Sequence, residues 1–162
     1  ICDETGVELA NINTDDQVVI SGDKIAVARS MDLASARGAK KTIPLQVSGA
    51  FHSSLMFEAA SGLAEAVNSL HFNEPKIPVV GNCDSKPLKT SDEIRSELVN
   101  GLCKCVQWKD SVRQIVDSGV TEFIEFGSGG VLAGLIKRID RGVKVTTVSD
   151  TASMRKLAKG VE

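Results

Sequence analysis

The residues best placed to do chemistry lie in one stretch, Gly38 to Phe57, GAKKTIPLQVSGAFHSSLMF. The alternating apolar run Ile43, Leu45, Val47 predicts a strand, and Ser48-Gly49-Ala50 predicts a tight turn. Phe51 and His52 come next, followed by serines and an apolar helical spacing. A histidine at such a strand-to-helix corner is held by two rigid elements beside the positive end of a helix. That end disfavours a further positive charge and keeps the imidazole neutral, the form a general base needs. The same position also suits a capping or core histidine, and the local residues leave both roles open.

A base needs something to activate. Ser-His hydrolases and acyltransferases of α/β type carry their nucleophile in G-x-S-x-G, and no such pentapeptide occurs in the 162 residues. Ser48, Ser53, Ser54 and Ser128 all have the wrong surroundings for that elbow. If His52 is a catalytic base, its nucleophile is not in this chain. The turn Gly127-Ser128-Gly129-Gly130 between a strand and a helix could hold an anion on its backbone N–H groups. It lacks both G-x-x-x-x-G-K-[ST] and a strict G-x-G-x-x-G, so it reads as a structural turn that can still line a pocket. Asn11, Asn13 and Asn82 sit at strand ends, where amides serve loop backbone or a ligand. His71 reads as a surface or connecting histidine.

The elements that must position these residues follow from periodicity. Val7, Leu9 and Ile12 predict one strand, Thr14-Asp15-Asp16 a turn, and Val18 to Ile20 a second strand. Ser21-Gly22-Asp23 offers N-cap candidates, and helical spacing from Ile25 to Ala34 ends at Gly38. With Ile43–Val47 this gives β-β-α-β, a small α+β unit. Met56, Ala59, Ala60, Leu63, Val67 and Leu70 then predict an amphipathic helix. Ile77 to Val80 reads as a short buried strand, and Thr90 with Glu93 as a capping box for a helix through Leu102. Trp108 to Val116 predicts a further helix, 121–126 a strand, Val131 to Ile139 a helix, and Val143 to Val148 a last strand before a terminal helix. Helix alternating with strand from Ser53 onward predicts an α/β layer with parallel strands.

Composition narrows the classes. Net charge is only −2, and the basic residues are not interleaved with aromatics, which argues against nucleic acid as a partner. Cys103-Lys104-Cys105 lacks zinc-site spacing, so no metal site is expected. Cys2, Cys83, Cys103 and Cys105 are expected to be reduced thiols in a cytoplasmic protein. No secretory signal or membrane-length apolar run is read from the sequence. The opening residues resemble the end of a helix, so the chain is expected to be the later part of a longer protein.

Four separated segments carry a family resemblance: GAKKTIPLQVSGAFHSSLM, IPVVGNCD, ELVNGLCKCVQWKDSV and FIEFGSGGVLAGLIKRI. Their order and spacing resemble the malonyl-CoA:acyl-carrier-protein transacylases over nearly the whole chain, from VELANIN to Lys137-Arg138. The resemblance implies an α/β-hydrolase-like large subdomain with a ferredoxin-like small subdomain inserted into it. Residues 1–47 would then belong to the small subdomain and 48–162 to the C-terminal part of the large one. It implies ping-pong transfer of malonyl from coenzyme A, through a serine ester, to the phosphopantetheine thiol of acyl carrier protein. No cofactor is implied beyond that thioester substrate.

In the same resemblance His52 falls on the catalytic histidine, and Gly101 on the residue whose backbone carbonyl orients it, commonly a glutamine. Phe51 matches the phenylalanine of a malonyl-selective AFH motif, beside Asn13 and Asn82 as substrate-side candidates. Lys41 and Arg138 match basic positions thought to face the carrier protein. NTDDQ stands where N-x-P-G-Q is usual, and GSGG where G-P-G is usual. The serine elbow and the arginine that pairs with the malonate carboxylate belong to the N-terminal half, which is expected as a partner of this chain. The alternatives are an acyltransferase domain of a polyketide synthase and a non-catalytic carrier-binding fragment.

Overall fold

A two-residue loop, Asp15-Asp16, closes the hairpin near the start of the chain in a computed structural model that describes residues 1–159. Its strands are β1 (Glu8–Thr14) and β2 (Gln17–Ser21), paired antiparallel from Glu8↔Ser21 to Thr14↔Gln17. The buried Thr14 hydroxyl donates to Asp16 Oδ1 at 2.7 Å, which fixes the loop. The register shifts twice, between Leu9 and Asn11 and between Ile12 and Thr14. Each bulge bends β1 and re-aims the residues around it. Ahead of the hairpin, α1 (Cys2–Thr5) is tied to α2 (Lys24–Ala36) by a buried Ser30–Thr5 hydroxyl pair and by Arg37 bidentate on Glu4. The Asp23 side chain caps α2 at the amides of Ile25 and Ala26, one of the capping positions read from the sequence.

The expected strand Ile43–Val47 does not form. Residues 41–47 have no regular structure, and Ile43, Leu45 and Val47 are 57–69% exposed. Period-two alternation makes a strand only where a ladder partner and a covering layer exist. Here β1 and β2 pair with each other, and no strand among the described residues accepts this segment. The β-β-α-β unit is therefore β-β-α among the described residues.

After one 3-10 turn, Ser54–Met56, helix α3 (Phe57–Ser69) buries Ala60 and Val67 and packs on α4 (Ser91–Asn100). Between them, β3 (Val79–Val80) and β4 (Pro87–Leu88) form a minimal antiparallel pair. The strand expected at 77–80 is thus shorter and more open than its apolar run predicts, with Ile77 and Val79 exposed. The Thr90–Glu93 capping box at α4 is formed in both directions.

The chain divides into two compact units, the second beginning at Lys109. At the junction lies α5 (Trp108–Asp117), and the second unit continues with β5 (Glu122–Phe126), α6 (Val131–Ile139), β6 (Lys144–Val148) and α7 (Thr151–Lys159). Strands β5 and β6 are parallel, in register from Glu122↔Lys144 to Phe126↔Val148, with α6 as the crossover. Leu135, Ile136, Val143 and Val148 are buried here. No helix among the described residues is long and apolar enough to cross a membrane. Together these elements give the α/β class expected from the alternation.

The glycine turn before α6 has its own explanation. Gly130 is the N-cap residue at φ 64°, a left-handed position that suits glycine, and it offers no side chain to the helix. The buried Glu125 carboxylate takes that role, accepting from Leu132 N–H and Ala133 N–H at 3.0 Å each and from Thr147 Oγ1 at 3.3 Å. Two of the N–H groups at this helix start are thus taken by a carboxylate of the chain itself, in keeping with a structural turn. Glu125→Ala leaves both amides unpaired and should cost about 2 kcal/mol in urea unfolding, while Glu125→Gln, which keeps one acceptor oxygen, should cost less. Equal stability of Glu125→Ala and the unchanged chain would remove this role.

Candidate active site

Among the described residues, only His52 (φ 61°) and Ser85 (φ 60°) are non-glycine residues with left-handed backbone. That conformation is uncommon for residues with a Cβ and persists only where the surroundings hold it. His52 is held on three sides. Its N–H donates to the Leu102 carbonyl at 2.9 Å. The next side chain, fully buried Ser53, donates to the Ala50 carbonyl at 2.6 Å and closes the turn behind it. Ser54 then donates from both N–H (2.8 Å) and hydroxyl (2.6 Å) to Glu8 Oε1 on β1.

The corner is therefore a coil-to-helix corner rather than a strand-to-helix one. It is pinned to β1 and to the turn after α4 by hydrogen bonds, a role the sequence assigned to a strand. Glu8 was not legible as part of it, since a glutamate between Val7 and Leu9 looks like the outward residue of an alternating strand. Its carboxylate occupies the N–H end that was expected to face the histidine. Phe51 is 42% exposed, with its ring lying against Gly49. The imidazole is half-buried, and its Nδ1 is buried with no hydrogen-bond partner. The bond from the ring to the Gly101 carbonyl, expected from the family resemblance, is accordingly not made. The contact to this turn is instead from the His52 backbone to the next carbonyl, Leu102.

The seat of His52 is the turn between α4 and Trp108. Gly101 N–H and Lys104 N–H fold back on the Glu97 and Asn100 carbonyls at 2.8 Å each, which presents the Leu102 carbonyl. Farther on, Val106 bridges to β1: it donates to the Ala10 carbonyl at 2.8 Å and accepts from Ile12 N–H at 2.9 Å. Gln107 N–H donates to the Asn82 carbonyl at 2.7 Å, and the strained Ser85 donates its hydroxyl to the Gln107 carbonyl at 3.1 Å. Both left-handed residues thus hang on one turn.

Opposite it, Glu97 Oε1 accepts from Asn82 N–H and from Cys83 N–H, the latter at 3.1 Å. Asn13 is half-buried in the second bulge of β1, and Asn82 is exposed. A cleft of about 350 Å³ beside α4 is lined by Cys83, Glu97 and Lys104 among others, and not by His52. A pocket around the imidazole needs walls that this cleft does not supply.

The remaining sequence-predicted residues are placed as follows. Lys41 is exposed in the irregular segment of the first unit, and Arg138 is exposed in the last turn of α6 in the second. No group of three or more potential metal ligands is found among the described residues. The four cysteines are free. Burial, and next the Glu97 carboxylate, push the Cys83 thiol up to about 12, and burial raises Cys105 as well. At pH 8 roughly one Cys83 in ten thousand is then thiolate. In the folded chain Cys83 should be among the last thiols carbamidomethylated by iodoacetamide, read by mass spectrometry; rapid labelling at pH 8 would contradict this environment.

Comparison with known proteins bears on what this arrangement is for. No family model matches the chain. The malonyl CoA-acyl carrier protein transacylase of Bacillus subtilis (strain 168) is 40% identical over 144 residues, 89% of this chain and 45% of the relative. The transacylase of the same name from Staphylococcus aureus (strain MSSA476) is 39% identical over 146 residues, 90% of this chain and 47% of the relative. The chain spans about half the length of these curated relatives. Among solved structures, a malonyl-transacylase in complex with its type II polyketide acyl-carrier protein superposes with a TM-score of 0.94 at 39% identity, covering 98% of this chain and 53% of that one. An acyl carrier protein S-malonyltransferase from Vibrio cholerae gives 0.91 at 38% identity, with 96% and 52% covered. Over the length it shares with these proteins, the chain is similar in sequence and in fold to the malonyl-CoA:acyl-carrier-protein transacylases.

Proposed function

We propose that this chain is the histidine-bearing, C-terminal part of a malonyltransferase that moves malonyl from coenzyme A to the phosphopantetheine thiol of acyl carrier protein. His52 is the general base. It takes the proton of a serine hydroxyl as that oxygen attacks the malonyl thioester and gives it to the departing coenzyme A sulfur; later it takes the proton of the incoming thiol, which attacks the serine ester, and returns it to the serine oxygen as that ester bond breaks. The observation that carries this reading is the left-handed, over-braced backbone at His52, with strain placed where a side chain must be aimed. The unpaired Nδ1 supports it too, because a base of this kind needs its second ring nitrogen oriented. In the assembled enzyme we assign that task to the Gly101 carbonyl, a bond the ring does not make in this structure, one residue before the carbonyl that already holds the His52 backbone.

Phe51 is the side chain that would crowd a methyl-branched acyl group, and Asn13 and Asn82 are the polar groups nearest in role to the substrate. No cofactor other than the coenzyme A thioester is required. The subdomain division at 47/48 belongs to this reading, as does the serine-bearing N-terminal half as a partner. The chain has no G-x-S-x-G. Alone it should therefore give no malonyl transfer from malonyl-CoA to acyl carrier protein. Joined to the N-terminal half of a relative it should transfer, and His52→Ala in that assembly should lower kcat by at least about a thousandfold. Robust turnover by the isolated chain, or full activity of His52→Ala, would overturn the assignment.

A second reading is favoured by the neighbour solved with a carrier protein: a fragment that binds carrier without catalysing transfer. Lys41 and Arg138 are its candidate contacts, exposed cations suited to steering an acidic partner. Lys41→Glu and Arg138→Glu should each weaken carrier binding several-fold in titration calorimetry, more at low salt than at high salt. A salt-independent affinity unchanged by either reversal would remove these contacts.

A further inference from the structure

We propose that Glu97, working in the clearance left by Gly81, is the positioning residue that sets the His52 seat; the functional half of this statement rests on His52 being the base. Glu97 stands one helical turn before the end of α4. Its Oε1 accepts the main-chain N–H groups of Asn82 and Cys83, so one carboxylate fixes two consecutive peptides of the loop after β3. The Asn82 carbonyl in turn accepts from Gln107 N–H. This closes a ring: α4, Glu97, Asn82, Gln107 and the intervening turn back to α4. Leu102, whose carbonyl seats His52, lies on the turn that the ring spans. A change in the loop at Asn82 thus reaches His52 through two main-chain hydrogen bonds and one short turn.

Gly81 explains why the glutamate can sit there. A Cβ at Gly81 would lie 3.0 Å from both Cδ and Oε2 of Glu97. Any side chain at 81 therefore meets the carboxylate before anything else, and the two residues form one device. A charged acceptor gives such bonds roughly twice the strength of a neutral one. Only the oxygen is needed for the geometry, however, because both donors are neutral amides.

The test uses the full chain, isotope-labelled, with amide exchange at Asn82 and Cys83 and the His52 imidazole resonances as readouts. Glu97→Ala should speed exchange of both amides by at least about tenfold and shift the His52 ring signals. Glu97→Gln, which keeps the acceptor oxygen, should restore both. Gly81→Ala should give an intermediate shift in the Glu97 chain and none in the Glu97→Ala chain, the coupling expected of one shared contact. His52 signals that stay put while the Asn82 and Cys83 amides open would reduce Glu97 to a loop anchor. Equal effects of Gly81→Ala in both backgrounds would break the pairing. If Glu97→Ala does not fold, Gly81→Ala alone decides, since it keeps the carboxylate and moves it by a few tenths of an ångström. Failure of malonyl transfer in the assembled enzyme with these signals behaving as stated would sink the functional reading and leave the positioning intact.

Discussion

The hydrogen bond from His52 N–H to the Leu102 carbonyl is the constraint around which the first unit is arranged. A left-handed histidine costs of order 1–3 kcal/mol unless the fold repays it, and one neutral hydrogen bond supplies only about 1 kcal/mol. The rest comes from redundancy. Ser53 closes the turn from within, Ser54 ties it to β1 through Glu8, and Val106 ties the receiving turn to the same strand. Strand β1 therefore holds both ends of the contact. A strand presents its backbone groups to both edges, so β1 pairs with β2 on one side and with Val106 on the other.

Glutamates perform the same physical task in several places. Glu8 satisfies the start of the helix after His52, Glu97 the loop at Asn82, Glu93 the start of α4, and Glu125 the start of α6. Each brings an ionised acceptor to neighbouring backbone or hydroxyl donors that no ladder or helix reaches. Backbone polar groups left unpaired in a fold are expensive, and a carboxylate can serve two at once. A chain with short strands and irregular connections needs many such acceptors. Its acidic residues are thus structural to a degree that a net charge of −2 does not reveal.

The sequence exposed these features unequally. Helix α4 and its cap were legible because Thr90 and Glu93 are three residues apart and satisfy each other locally. The helix at 57–69 and the pair β5–α6 were legible for the same reason, since period and punctuation are local signals. Ile43–Val47 misled because its alternation is real but its partner is not among the described residues. Glu8 and Glu97 were missed because each acts across 46 and 14–15 residues of chain respectively, and such contacts leave no spacing to read. Gly81 was the one available hint, as a glycine at a strand end marks a close approach. The site residues themselves came from the ordered family segments, and for His52 the structure adds what the resemblance could not. It shows how the backbone is held, and that the ring nitrogen at Nδ1 is not yet engaged.

That unpartnered nitrogen sits on a stretch of chain rich in exposed apolar side chains. Phe51, Leu55 and Phe57 flank His52 in sequence and are all exposed, as are Ile43, Leu45 and Val47 just before them. Within the second unit Ile124, Phe126 and Val131 are exposed as well, on and after β5, and parallel strands are ordinarily covered on both faces. A general base in open water does poorly, because water competes for its hydrogen bonds and screens the charge it must stabilise. Phe51, Leu55 and Phe57, the exposed apolar neighbours of His52 in the chain, suit a site that works when covered. On the proposed reading, covering these side chains would exclude water from the imidazole in the same event that brings a nucleophile to it. On that reading base and nucleophile reside on separate lengths of polypeptide, and the bracing of His52 by its own unit is what would let the two meet in register.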